Sequence, residues 1–227
     1  GTITSQVSAN QTAGFSIVTY SGNSTANSTV GHGLGKTPSL IFLKRRNTAT
    51  NWRVSHSAYT NTGSLFLERT NALTTSEGTR LQRTNSTVFT VGDAADYNTS
   101  NASGGTYVAY CWAEIEGYSK FGSYVGNASA DGTFVYCGFK PAFVITKRTD
   151  GTSNWLIHDS SRDSVNPVMG NLYANEPDVE GRGSARVDFV SNGFKHRNAD
   201  GGAANNYAND YIFMAFAESP FQTANAK

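Results

Sequence analysis

The strongest constraint in this chain is that it repeats itself. KTPSLIFLKRR at 36–46 returns as FKPAFVITKRT at 139–149, with Pro141 standing 103 positions after Pro38. At that spacing Lys44 meets Lys147, Trp52 meets Trp155, and TNWRVSHS at 50–57 meets SNWLIHDS at 153–160. TYSGN at 19–23 meets SYVGN at 123–127, and TYVAYCWAE at 106–114 meets DYIFMAFAE at 210–218, both at a spacing of 104. STVFTV at 86–91 meets SNGFKH at 191–196 at 105, a drift that small loop insertions produce. Self-similarity at a fixed period comes from repeated structural units. We expect an internal duplication, with a leader at 1–13, repeats at 14–117 and 118–221, and a C-terminal tail at 222–227.

Each repeat reads as β. FSIVTY, WRVSH and TYVAYCWAEI alternate apolar and polar residues, and SLIFLKR is a continuous apolar run of strand length. GLGKTP, TDGTSN, NASADGT and SNG punctuate the runs as turns. No window carries a helical period. About seven short strands per hundred residues predict a β-sandwich, so the expected fold is all-β, with two tandem jelly-roll-like sandwiches. Charged residues are only 15% of the chain against 38% hydrophobic, and the rest is mostly Gly, Ser, Thr and Asn, which suits strands with many polar turns rather than disorder.

The same composition excludes several functions. A formal charge of +1 gives no field for nucleic acid or anionic membrane, and the basic clusters Lys44-Arg45-Arg46 and Lys147-Arg148 are too short for a phosphate footprint. No apolar run approaches the roughly 18 residues of a membrane span. The chain opens at Gly1 without an initiator Met or signal peptide and reads as a processed product or fragment. Cys111 and Cys137 read as buried free thiols.

Candidate chemistry is sparse. His32, His56, His158 and His196 are scattered, and the histidines of the two Asn-Trp segments do not align: His56 meets Asp159 and His158 meets Ser55. Metal ligation is not expected. Trp52 and Trp155 read as large aromatics filling each core. Glu114 and Glu218 end the last strand of each repeat, and Lys44 and Lys147 end an earlier one, which predicts a structural Lys–Glu or Arg–Glu pair at one end of each sandwich. GHGLG at 31–35 lacks the Lys-Ser/Thr of a phosphate loop. Glu114 with Glu116, or Asp159 with Asp163, are the only carboxylate pairs that a glycosidase reading could use.

The polar loop before each last strand is more suggestive: GDAADYNTSNASGG at 92–105 and HRNADGGAANNYAN at 196–209. Asn and Asp fork hydrogen bonds to sugar hydroxyls, a Tyr ring stacks on a sugar face, and long loops on rigid scaffolds often carry binding. The candidate glycan- or surface-binding residues are Asp93, Asp96, Tyr97, Asn98, Asn198, Asp200, Asn206 and Tyr207. The same oxygens could hold Ca²⁺, although no regular calcium-loop spacing is present. No other cofactor is implied.

The segments GFSIVTYSGN, TVGHGLGKTPSLIFLKRRN, TYVAYCWAEIEGYSKFGSYVGN, DGTFVYCGFKPAFVITKR and YIFMAFAESPF together resemble an uncharacterised repeat domain. That domain occurs near the C-terminus of tail-fibre-like and virion structural proteins of marine and cyanobacterial tailed phages. The likeness runs from Gly14 to Phe221. It implies a non-enzymatic virion protein, assembled in the host cytoplasm, that contacts other virion subunits and the host surface as a tail-fibre or receptor-binding module, with a trimer as the expected oligomer. Capsid decoration or tail cementing is the structural alternative, and a surface-polysaccharide depolymerase the enzymatic one. The family brings no established catalytic residues to this chain.

Overall fold

The computed structural model describes residues 1–75, 80–92, 99–198 and 204–219, and every regular element among them is a β-strand. The chain forms two compact units: Gly1–Glu68 with Leu73–Glu114, and Arg69–Ala72 with Ile115–Lys227. The division falls three residues before the expected one, and the excursion Arg69–Ala72 belongs to the second unit. There the Thr70 carbonyl accepts hydrogen bonds from Ser153 N (2.9 Å) and Lys147 Nζ (3.2 Å).

The first unit contains β1 (Ser5–Asn10), β2 (Phe15–Ser21), β3 (Ser28–Gly31), β4 (Leu40–Arg45), β5 (Arg53–His56), β6 (Leu65–Phe66), β7 (Leu81–Gln82), β8 (Val88–Val91) and β9 (Thr106–Trp112). One layer has the order β1-β2-β9-β4-β5-β6 and the other β3-β8-β7, with antiparallel ladders throughout. Alternation along β9 sends Tyr107, Ala109 and Cys111 inward, fully buried. They pack with Val18, Ile41, Leu43, Val30, Phe89 and Val91 from both layers. Each large apolar side chain so buried contributes roughly 1.5–3 kcal/mol. The segment 1–13 is not a separate leader, because β1 pairs with β2 along its length.

The second unit contains β10 (Ser119–Val125), β11 (Phe134–Tyr136), β12 (Pro141–Arg148), β13 (Trp155–Asp159), β14 (Val168–Tyr173), β15 (Gly181–Val190), β16 (Gly193–His196) and β17 (Asp210–Ala217). These form one sheet, β10-β17-β12-β13-β14-β15-β16-β11, curled into a nearly closed barrel. β14 makes the corner. Its Leu172 and Tyr173 pair with β13, its Val168, Gly170 and Asn171 pair with β15, and the register slips between Val168 and Gly170. Such irregularities bend a strand from one layer into the next.

The two units share one anchoring device. The Tyr20 ring stacks on Tyr107 (4.9 Å) while its hydroxyl donates to Ser100 O (2.6 Å). Tyr124 stacks on Tyr211 (5.0 Å) and donates to Ala204 O (2.8 Å). Beside each pair sits a fully buried asparagine. Asn101 accepts from Asn23 N (3.0 Å) and donates to Asn23 Oδ1 (2.9 Å) and Thr25 O (2.8 Å). Asn205 accepts from Asn127 N (3.1 Å) and donates to Asn127 Oδ1 (3.1 Å), Ser129 O (3.2 Å) and Asn198 O (3.2 Å). The tied turns hold Ser24 and Ala128 at φ of 52° and 49°, a left-handed conformation unfavourable for side-chain-bearing residues. A Cβ on Gly22 or Gly126 would lie 2.3 or 2.1 Å from the carbonyl oxygen of Ala102 or Asn206, so no other residue fits these turns.

Two expectations need correction. Trp155 is a buried core side chain, as expected, while Trp52 does not fill the space between the layers of its unit. Leu43 pairs with Arg53, so the next step places Trp52 beside Lys44, on the face away from Ile41 and Leu43. Trp52 is half-buried there, stacked on Tyr110 (6.1 Å) with Lys44 Nζ 5.8 Å from its ring centre. Trp155 pairs with Lys147 and is buried, but on the face opposite Val144. The strand-end ion pairs also differ from the expected ones. Lys147 lies opposite Ile212, and Lys44 opposite Val108, so each antiparallel register puts the lysine far from Glu218 or Glu114 at the other end of the strand. Glu218 pairs instead with Lys140 (2.9 Å). Lys44 Nζ donates to Thr50 O, and buried Lys147 donates to Arg148 O (2.7 Å).

Removing a buried multi-bonded amide leaves several polar groups without partners. Asn205→Ala is expected to lower unfolding free energy by about 2–4 kcal/mol in urea titrations, while Tyr207→Ala, at an exposed position, stays within about 0.5 kcal/mol.

Candidate functional site

Of the residues expected on the two polar loops, Asp93, Asp96, Tyr97, Asn98 and Asp200 lie outside the described residues. Asn198 is buried, and its Oδ1 accepts from Arg186 N (3.0 Å), which makes it scaffold. Asn206 is half-buried and donates its backbone N–H to the Tyr211 hydroxyl (3.1 Å). Tyr207 stands out, 77% exposed. Where they are described, the amides of these loops hold the fold together and a single tyrosine is displayed.

The histidines are structural as well. His32 lies with Nε2 3.1 Å from Asn85 O and Nδ1 accepting from Leu34 N (3.2 Å). His56 Nδ1 accepts from Ala58 N (3.0 Å). His196 is buried against the rings of Tyr124 (5.0 Å) and Phe194 (5.6 Å). No group of three metal-ligating side chains occurs among the described residues.

The carboxylates Asp159 and Asp163 belong to an ion-pair chain. Arg162 bonds Asp159 (2.5 Å) and Glu180 (2.9 Å), and Arg182 bonds Asp163 (2.9 Å). Asp163 also accepts from the backbone N–H of Gly170 (2.5 Å) and Met169 (2.8 Å), and these bonds, with Arg182, hold it below the usual carboxylate range. Desolvation works to raise Asp159, but its bonds to Arg162 outweigh that and lower it. Both stay ionised near neutrality, which does not suit a general acid.

The first unit offers a different site. Thr2–Gln6 run along the end of β2, beside the turn at Asn23 and the start of β9. Between them opens a surface groove of about 570 Å³. Thr2, Thr4, Ser5, Thr19, Ser21 and Thr106 line it, with Ile3, Gln6, Asn23, Arg46, Tyr20 and Tyr107. Local structure explains the placement. Ile3 is buried and bridges Val30, which holds the residues around it beside the groove. Arg46, at the exit of β4, is tied through its N–H to Thr106 O (2.7 Å). Among the described residues no carboxylate, histidine or cysteine lines the groove. Neutral hydroxyls and amides with a guanidinium match a polyhydroxylated ligand, neutral or anionic. Sequence reasoning missed this site because its residues come from five separated segments. The only local signal was the run of alternating Thr and Ser at the start of the chain.

The fold and groove define an all-β protein of two units with a surface cleft rich in Thr and Ser residues in the first. The chain belongs to the DUF7483 family, a domain of unknown function, which matches residues 1–220. No curated protein and no solved structure matches it.

The buried histidine has a measurable consequence. Burial first, and the charge of His158 second, push His196 down to about 3 from its ordinary 6.5. Between those values the unfolded chain binds the proton and the folded chain does not. Stability therefore falls as pH drops through that window, by at most about 1.4 kcal/mol per pH unit. Desolvation lowers His32 in the same direction. His196→Phe is expected to flatten the stability profile between pH 6.5 and about 4 in denaturant titrations. The loss below about pH 4, where carboxylates held low in the fold become protonated, should remain.

Proposed function

We propose that this chain is a bacteriophage virion module of the tail-fibre or receptor-binding kind, and that it contacts host-surface glycan through the groove between Thr2–Gln6 and β2. The groove itself carries the reading: Thr, Ser, Gln and Asn residues beside Arg46, with no carboxylate or histidine among the described lining residues. The virion context comes from the resemblance of the segments quoted above. We take the two units as copies of one ancestral domain, because the tyrosine pair and the buried asparagine recur 104 residues apart, at Tyr20, Tyr107 and Asn101 and again at Tyr124, Tyr211 and Asn205. The particle location is the virion, with a trimer as the assembly.

A second reading is capsid decoration or tail cementing. Exposed apolar side chains on edge strands of the second unit, Val125, Phe134 and Tyr136, favour it, since such positions suit contact between subunits.

A glycan array and host-envelope fractions test the first reading. Arg46→Ala should weaken binding by about tenfold to a hundredfold, the loss of one charge-assisted hydrogen bond, with Tyr207→Ala unchanged. Loss on Tyr207→Ala alone would move the site to the loop before β17. Binding to no envelope fraction would sink the receptor-binding reading. New reducing ends after incubation would mark depolymerisation instead.

A further inference from the structure

The strand register sorts the residues of the groove in the first unit. On β2 Val18 and Tyr20 enter the core, so Thr19 and Ser21 lie on the outward face. Ser21 pairs with Thr106 of β9, and Thr19 pairs with Gln6 of β1. Directly paired residues project to the same face, so these four form one polar strip across three strands. Arg46 extends it. Its N–H bonds Thr106 O (2.7 Å), which places it next to Thr106 just past the end of β4. Asn47 fixes the same corner: its Oδ1 accepts from Thr106 N (3.3 Å) and its Nδ2 donates to Gly104 O (2.9 Å).

The cation on this strip is uncommitted, unlike its neighbours. Lys44 donates to Thr50 O and lies 5.8 Å from the Trp52 ring centre, and Arg45 Nε bonds Asn47 Oδ1 (3.0 Å). Glu68 accepts from Trp52 N (2.9 Å), at the level of Lys44 rather than of Arg46. In the second unit Arg148, Arg162, Arg182 and Arg197 are each ion-paired. Arg46 is exposed, and among the described residues its guanidinium has no hydrogen bond and no ion pair. It is also the only charged residue among the described lining residues. The side chains of Gln6, Thr19 and Ser21 likewise have no hydrogen bond among the described residues.

We propose that the groove selects an acidic polysaccharide, with Arg46 holding the anionic group and the strip from Gln6 to Thr106 holding neighbouring hydroxyls. This rests on the glycan reading above and narrows it from saccharides in general to charged ones. A guanidinium forks two parallel hydrogen bonds to a carboxylate or a phosphate, and charge-assisted bonds are the stronger kind. A neutral sugar gives that fork no counter-charge. Arg46 is already tied at its backbone, so little chain order is lost when its side chain is engaged.

Binding of the intact chain to immobilised polygalacturonate and its carboxyl-reduced form, and to phosphomannan and neutral mannan, tests it. In at least one pair the acidic member should bind tenfold or more tightly than the neutral one at about 0.15 M salt. The pair that responds tells carboxylate from phosphate. Arg46→Ala should abolish that preference, and Arg46→Lys, which keeps the charge but not the fork, should retain part of it. Thr19→Val with Ser21→Ala should weaken binding to both members of the pair, and unchanged binding would strike the strip from the site. Circular dichroism checks that each variant is folded. Equal binding of acidic and neutral members would overturn the proposal and leave the glycan reading standing. A preference that survives Arg46→Ala would also overturn it, since the charge would then be read elsewhere. Binding to none of the four polymers would overturn it as well, while the host-envelope fractions decide the glycan reading independently.

Discussion

A buried side-chain amide organises each half of this protein. Asn101 and Asn205, each on the loop that enters the central strand β9 or β17, bond to the turn that follows β2 or β10. Those two central strands carry the inward-facing residues on which both layers pack. A neutral amide suits the place. It donates and accepts at once, so it can satisfy several buried backbone groups without the desolvation penalty of a charge. The stacked tyrosines beside it extend the same role, with rings in the core and hydroxyls bonded to backbone at the rim.

This arrangement explains why polar loops that look suited to binding are largely structural. Side chains that could fork hydrogen bonds to a sugar fork them equally well to a strained turn. Asn101 and Asn205 do so, and Asn198 ties the backbone of β15 at Arg186, while Tyr207, with no buried role, projects. The hydroxyl groove arises instead where the chain's first residues cross from the edge of β2 to β3.

The two units also show how a shared strand pattern yields different surfaces. The first is closed by an extra strand from its N-terminal side. In the second, the corresponding stretch of chain is already inside the first unit as β9, and among the described residues the curled sheet ends at β10 and β11. Exposed edges attract added strands unless they are covered or charged. Here β11 carries the exposed aromatics Phe134 and Tyr136.

Much of the fold is legible in the residues alone. Alternation in TYVAYCWAEI and the apolar run SLIFLKR mark the central strands, and the spaced repetition of these segments marks two units. Period-two patterning is a local property, so sequence suffices for it. It does not say which face of a strand meets the other layer when both faces are largely apolar, which is why Trp52 turned up half-buried on the face away from Ile41 and Leu43. Nor does it say that Lys147 would lie across from Ile212 while Glu218 met Lys140. Register, burial of individual asparagines, the closing role of β1 and the groove all depend on pairs of residues far apart in the chain. By itself the sequence determined an all-β protein with two similarly patterned halves. The tertiary structure decided which polar groups hold it together and which remain for a ligand, because hydrogen-bond partners are chosen by long-range packing that no local pattern encodes.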